Sequence, residues 1–265
     1  MPHAEFEVEA DGAGDDGDMS CERARLLYET GNVALRAAAE KWWRRAARSG
    51  DHEAQYSLGV MLHEDATGRS GEEAEYWWRL AASGGHVEAR YNLGVRLQLR
   101  GDPEAEDWLR LVAGTGHTDA QYNLGVLLDL TGTESARSEA RCWWRVAAQA
   151  GHAGAQYNLG VDCQDRGAQR AAERWWRSAA ESSHVDAQYH LGVSHHMRGE
   201  HDVAEHWWRI AARAGHRDAQ YNVGTYRYQH GDIAAAERWW RAAAEAGQPE
   251  ASTTLCWLRS RRAGD

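Results

Sequence analysis

Phenylalanine, isoleucine and lysine are nearly missing from this chain: one Phe, two Ile (Ile210 and Ile233) and one Lys (Lys41) occur in 265 residues, beside only three Pro and four Cys. The cysteines Cys21, Cys142, Cys163 and Cys256 lie far apart with no CxxC pair, which excludes a disulfide framework and fits reduced thiols. No run of 18 apolar residues occurs, and the N-terminus has no basic stretch followed by an apolar one. Neither membrane insertion nor secretion is expected, and the expected compartment is the cytoplasm. Bases are scarce against 40 acids, giving a formal charge of −10. Seven acids fall in residues 1–20, which hold no Lys or Arg, so the remainder carries 30 bases and 33 acids. A nearly neutral body with an acidic tail lacks the positive surface that a phosphate backbone requires, and nucleic acid is not an expected partner. Residues 1–20, rich in Gly and Asp, are expected to be disordered.

What the chain has in excess is tryptophan, and its 14 Trp are periodic. A WW pair followed by Arg recurs at Trp42-Trp43, Trp77-Trp78, Trp143-Trp144, Trp175-Trp176, Trp207-Trp208 and Trp239-Trp240, with a variant at Trp108-Leu109. A second motif, AQYNLG and its variants, ends at Gly59, Gly94, Gly125, Gly160, Gly192 and Gly224, at spacings of 35, 31, 35, 32 and 32 residues. Self-similarity at such a period is the signature of a helical repeat array. Spacing varies between the first motif and the next WW, as at Thr131 to Ser138, so insertions are expected in one loop position.

Each period reads as two helices. The first starts near an acid (Glu88, Asp119, Asp186 or Asp218), suited to the positive end of the helix macrodipole. The second carries the WW pair and stops at Gly50, Gly85, Gly116, Gly151, Gly215 or Gly247, where a positive φ closes it. Ala120, Leu124 and Leu128, like Ala89, Leu93 and Leu97, follow i, i+4, i+8 spacing and predict one apolar stripe facing the partner helix. A glycine in mid-helix costs about 1 kcal/mol relative to Ala, so its recurrence implies a backbone or Trp ring approaching too closely for a Cβ. Adjacent Trp side chains diverge by about 100° on a helix, so one ring is expected to plug the hairpin and the other to pack on the next repeat. Seven such units precede a last half-unit over residues 249–261, where Leu255 holds the Leu position, Cys256 replaces Gly, and Arg259, Arg261 and Arg262 supply a solvating surface.

The combination AQYNLGV, WWRxAAxxGH and a further AQYNLG resembles the Sel1-like repeats, a branch of the tetratricopeptide-like helical repeats, over nearly everything after residue 21. The resemblance implies an all-α, right-handed solenoid of about seven antiparallel helix pairs with a C-terminal capping helix, spanning residues 21–262. It also implies an adaptor that assembles protein complexes. The units from Gly160 onward are compressed to 32 residues, shorter than is usual for the family, and the paired cysteines of some secreted relatives are missing.

In such folds the first helices line the concave face, which places a partner on the stripe opposite Ala and Leu. Candidate contacts are Tyr91, Asn92, Tyr122, Asn123, Val126, Tyr157, Asn158, Val161, Tyr189, His190, Tyr221 and Asn222. Asn offers a donor and an acceptor to a peptide backbone, and Tyr offers contact area with little entropy loss. Packing between repeats accounts for the same Tyr and Asn equally well. With Glu53, Glu88, Asp119, Asp186 and Asp218 at the edge, the expected ligand is a protein or peptide segment, neutral or basic.

His52, His86, His117, His152, His184 and His216 recur once per repeat, which reads as turn or packing chemistry rather than chelation. The denser set His190, His195, His196, His201 and His206 lacks the closed four-ligand pattern of a zinc site, so no metal or cofactor is expected. The Arg after each WW pair reads as the i+4 partner of acids such as Glu173, Glu205 and Glu237. No nucleophile elbow, phosphate loop or HExxH occurs, so a non-enzymatic binding protein is the leading expectation. The alternative is an enzyme with an aromatic-lined pocket and Asp129, Asp165 or His196 as acid or base.

Overall fold

The structure, a computed structural model, describes residues 21–64 and 70–262; the expectation of disorder for residues 1–20 concerns residues outside these. Among the described residues regular structure is entirely helical, and no helix is long and apolar enough to cross a membrane. The described residues fall into two compact units, divided between Val112 and Ala113.

The first unit holds three helix pairs: α1 (Cys21–Glu29) with α2 (Val33–Arg48), α3 (His52–Glu64) with α4 (Ser70–Ser83), and α5 (Val87–Leu99) with α6 (Glu104–Ala113), whose last residue crosses the unit boundary. The second holds four pairs: α7 (Thr118–Leu130) with α8 (Glu134–Gln149), α9 (Ala153–Asp165) with α10 (Gln169–Glu181), α11 (Val185–Met197) with α12 (His201–Arg213), and α13 (Arg217–Gln229) with α14 (Ile233–Glu245). A single helix, α15 (Pro249–Arg262), ends it. Within each unit, helices adjacent in sequence pack on one another, giving the stacked antiparallel hairpins that the periodicity predicts.

Of the first helices, α5, α7, α11 and α13 carry the expected acid in their first turn, and the histidine before it supplies the N-cap. His86, His117, His152, His184 and His216 each hold extended backbone, and their Nδ1 atoms accept from the amides of Ala89, Ala120, Ala155, Ala187 and Ala219 at 3.1–3.4 Å. Each ring thus satisfies one of the orphan donors of the first turn. His52 stands one residue later in its repeat, and Asp51 takes the cap instead, accepting from Ala54 at 3.0 Å.

The second helices end where expected, at Gly50, Gly85, Gly116, Gly151, Gly215 and Gly247 with φ between 81° and 95°. The fifth repeat has Ser183 there, at φ 64°. The conserved-position Gln supplies a further cap that the sequence reading did not find. Nε2 of Gln55, Gln121, Gln156, Gln188 and Gln220 donates to the carbonyl of Ala47, Ala113, Ala148, Ala180 and Ala212, eight residues back, on the preceding helix. Arg90, the variant at this position, reaches Ala82 in the same way.

The Ala and Leu stripe is buried, with Ala89, Leu93, Leu97, Ala120 and Leu124 fully inaccessible. The mid-helix glycines admit indoles. A Cβ on Gly59, Gly125, Gly160, Gly192 or Gly224 would lie 2.3–2.5 Å from Trp78, Trp144, Trp176, Trp208 or Trp240 respectively. Where Leu109 replaces Trp, the space opens to 3.0 Å at Gly94. The second Trp of each pair is therefore the hairpin plug.

Two expectations need correction. The first Trp of the pair packs backward in the late repeats: Trp207 lies on the cluster containing Trp176 and Ala180, and Trp239 on the cluster containing Trp208 and Ala212, while Trp42 packs on a cluster that includes Leu58 and Met61 of the next repeat. The extra residues at Thr131 to Ser138 do not lengthen a loop. They add a turn of helix, making α8 16 residues against 13 for α10, because Thr133 caps early and Glu134, Ala136 and Arg137 are good helix formers. In α15, Leu255 and Leu258 close the last core cluster against Trp240, which fits the capping role.

Candidate functional site

The Tyr after each Gln lies half-buried at the joint between repeats. Tyr56, Tyr122, Tyr157 and Tyr189 stack on the capping rings of His86, His152, His184 and His216, with centroids 4.4–4.6 Å apart. Burial raises the hydroxyl pKa of Tyr56, Tyr157 and Tyr189 and lowers that of the His152 and His184 imidazoles. Opposite Nδ1, Nε2 of His86, His152 and His216 faces Glu53, Asp119 and Asp186 of the preceding repeat at 3.0–3.5 Å. The acids expected to line the edge of the binding surface are thus shared with the joint.

Three of the polar residues beside a Tyr meet the Tyr of the repeat before. Tyr56 bonds Asn92, Tyr189 bonds Asn222, and Tyr157 Oη lies 3.4 Å from His190 Nε2. Tyr221 Oη finds Thr254 on α15 at 3.4 Å. Tyr91 and Asn123 each have a partner of their own. The packing account therefore explains much of the Tyr and Asn recurrence.

What packing does not explain is a cleft that recurs between successive first helices at one register. Val126, Asn158 and Val161 line it beside Trp144, with a volume of about 550 Å³. Val60, Asn92 and Val95 line its counterpart beside Trp78, at about 430 Å³. Tyr56, Ser57 and Val60 line a third beside Trp43, at about 460 Å³. Side chains of the chain itself also lie over these indoles, His63 over Trp78 at 5.3 Å and, in later repeats, three further rings. His190, whose pKa burial lowers, stacks on Trp176 at 4.8 Å; His196 tilts over Trp208 at 5.2 Å and Tyr228 over Trp240 at 5.6 Å. Of the twelve candidate residues, Val126, Asn158, Val161 and Asn92 line open clefts, whereas Tyr122, Tyr157, Tyr189, Tyr221, His190 and Asn222 hold the joints.

The rims differ in charge. Arg44, Arg79, Arg110, Arg209 and Arg241 pair with the acid four residues earlier, as expected. Glu173 is instead bonded by Arg198. In α8 the acid's position is Arg141, which pairs with Asp162 at 3.4 Å and Glu134 at 2.9 Å, reversing the Glu75–Arg96 pair at the same register. Asp129 and Asp165 share the cleft beside Trp144 with Arg137, Arg141 and Arg166, while His196 lies apart, 3.0 Å from His201 between Nδ1 atoms. Of the three residues of the enzyme alternative, Asp129 and Asp165 thus share one cleft and His196 does not join them. Among the described residues no group of three or more His, Cys, Asp or Glu is placed to hold a metal.

Sequence comparison identifies the lineage of this helical array. The Sel1 repeat model matches residues 23–51, 52–86, 87–107, 118–152, 153–184, 185–216 and 217–248, and the chain belongs to the Sel1 repeat family. A protective antigen of uropathogenic Escherichia coli, displaying an SLR fold, is 26% identical with a TM-score of 0.75 over 91% of this chain; this chain spans 56% of that protein. A Sel1 repeat protein from Oxalobacter formigenes is 25% identical with a TM-score of 0.73, over 91% of this chain and 83% of its own. No curated protein matches the chain by sequence. Sel1 repeat proteins generally serve as scaffolds for protein–protein interaction.

Proposed function

We propose that this chain is a non-catalytic adaptor whose first-helix surface binds an extended segment of a partner protein. The observation that carries this reading is the cleft repeated at one register, with an indole at its base, a Val on either side and an Asn on its wall. Such a site takes one partner side chain per repeat, while the Asn amide offers both hydrogen-bonding senses to the segment's backbone. The acids of the first turns, Glu53, Asp119 and Asp186, retain solvent-facing surface and favour a neutral or basic segment.

Site-specific photo-crosslinking tests it. A benzophenone side chain at Val126 or Asn158 is expected to capture a partner that the same group at Arg174, exposed on α10, does not. Equal capture from Arg174, or capture from there alone, would place binding on the second helices and refute the proposal. Asn158→Ala is expected to weaken a purified partner about tenfold, the usual effect of losing a hydrogen bond of about 1–1.5 kcal/mol.

A further inference from the structure

The clefts share a register but not a charge, and the one between the first two repeats stands apart. Its base is the buried edge of Trp43 with Val60, and its walls are the rings of Tyr28 and Tyr56. Four carboxylates, Glu29, Glu53, Glu64 and Glu88, stand on its rim against one guanidinium, Arg25. His86 does not offset them. Its Nδ1 accepts from Ala89, which fixes the neutral tautomer with Nε2–H toward Glu53. Arg25 is already bound to Glu53, and Tyr28 donates to Glu64 at 2.6 Å, which leaves the carboxylate charge of Glu64 in place. The next cleft, beside Trp78, has no such excess: Arg96 and Arg100 stand on its rim with Glu64, and both guanidiniums pair with Glu75.

Resting on the proposed binding surface and specifying its chemistry, we infer that the Trp43 cleft is a receptor for a cationic side chain, arginine or lysine, of the partner segment. The chain itself displays the interaction. Arg36 lies with its Cζ 4.3 Å above the Tyr28 ring and donates to that hydroxyl at 2.7 Å, so this aromatic wall already holds a guanidinium on one side. An incoming side chain lays its methylenes along Trp43, Val60 and Tyr56 and brings its head group to Glu29 and Glu64, combining apolar burial, ring quadrupole and opposite charge. A volume of about 460 Å³ accommodates one such side chain, and the neighbouring cleft, with two Arg beside Glu64, lacks the carboxylate excess to draw a second. The segment is thereby held in one register, with its base at the N-terminal end and a non-cationic residue one repeat on. Residues 1–20, with seven acids and no Lys or Arg, have the wrong sign for this cleft.

The test uses the full chain labelled with ¹⁵N at its indoles, the Trp43 signal assigned through Trp43→Phe. N-acetyl-arginine methylamide is expected to shift the Trp43 indole resonance and leave that of Trp144 in place, with the norleucine analogue binding more weakly. Glu29→Gln with Glu64→Gln, which keeps an acceptor for Tyr28, is expected to weaken the arginine titration about fivefold, as two exposed charges allow, and 0.5 M NaCl to do the same. Equal binding of the norleucine analogue, no effect of the double substitution, or a shift at Trp144 rather than Trp43 would each overturn the inference. Arginine binding at Trp43 together with partner crosslinks from Arg174 would instead sink the binding-surface proposal and leave the cleft's selectivity standing.

Discussion

Adding one methyl group to Gly160 tests the packing on which every repeat depends. Its Cβ would lie 2.3 Å from Cδ1 and Nε1 of Trp176, an indole that is 1% exposed and has no direction in which to withdraw. Gly160→Ala gains about 1 kcal/mol of helix propensity and loses more to overpacking, which costs about 1–3 kcal/mol and rises when a rigid ring must move. A net destabilisation of about 1–2 kcal/mol is expected. Gly94→Ala is the internal control. Its Cβ would lie 3.0 Å from Leu109, whose branched end can rotate, so the helix gain prevails and the change is neutral or stabilising. Because repeat arrays depart from two-state unfolding, amide hydrogen exchange along α9 and α10 is the sounder assay than a single melting temperature. Faster exchange there for Gly160→Ala, and none along α5 for Gly94→Ala, is the expected result. Installing Trp176→Leu beside Gly160→Ala recreates the Gly94–Leu109 spacing with an extra methyl, and the pair should cost less than the two changes summed. Equal tolerance of Ala at Gly160 and Gly94 would refute the account of the glycine.

Ser183, at φ 64° where the other repeats have Gly, makes Ser183→Gly stabilising by about 1 kcal/mol, measurable as a higher urea midpoint with unchanged slope. Burial holds the pKa of His152 and His184 below the ordinary value of about 6.5, so the unfolded chain takes up protons first as pH falls. Stability is accordingly flat above about pH 7, declines as pH drops through 6.5, and levels below the folded-state values; His152→Asn, a cap that does not titrate, should flatten the decline between pH 7.5 and 5.5. Gln188→Leu removes the donor to the Ala180 carbonyl and should cost about 1–2 kcal/mol, seen as faster exchange at the end of α10. Arg141→Glu sets three acids together and destabilises α8, while Arg141→Glu with Asp162→Arg copies the Glu75–Arg96 pair and should recover most of the loss; a double-mutant cycle without coupling would contradict the pairing.

The architecture was legible because its signals are periodic. Gly160 and Trp176 recur at the same separation in the last three repeats, so a steric relation that one copy would hide becomes a pattern. The capping histidines were not legible as caps. Ser, Thr, Asp and Asn are the familiar N-cap residues, and an imidazole accepting through Nδ1 carries no sequence mark beyond its place after the turn glycine. The Gln of AQYNLG was overlooked for a related reason, since its partner lies eight residues back across a turn and no helical spacing pairs them. At the candidate site, one alternation of Tyr and Asn encodes two jobs. Whether Asn158 borders an open cleft or His190 covers an indole depends on ring size at a single position, a difference of volume that residue class does not reveal.

The glutamine that reaches back to the previous helix gives each unit a grammatical direction. Gln156 completes α8, and Gln188 completes α10, but nothing in α8 reciprocates for Gln156's own repeat in that manner. The carbonyls it reaches already accept a turn amide, Ala148 from Gly151 and Ala180 from Ser183, so each successor adds a second donor to the helix before it. Trimming whole repeats from the C-terminal end should strip that second bond at every cut, whereas trimming from the N-terminal end should leave it in place for the hairpins that remain, so each repeat a ribosome delivers tightens the one before.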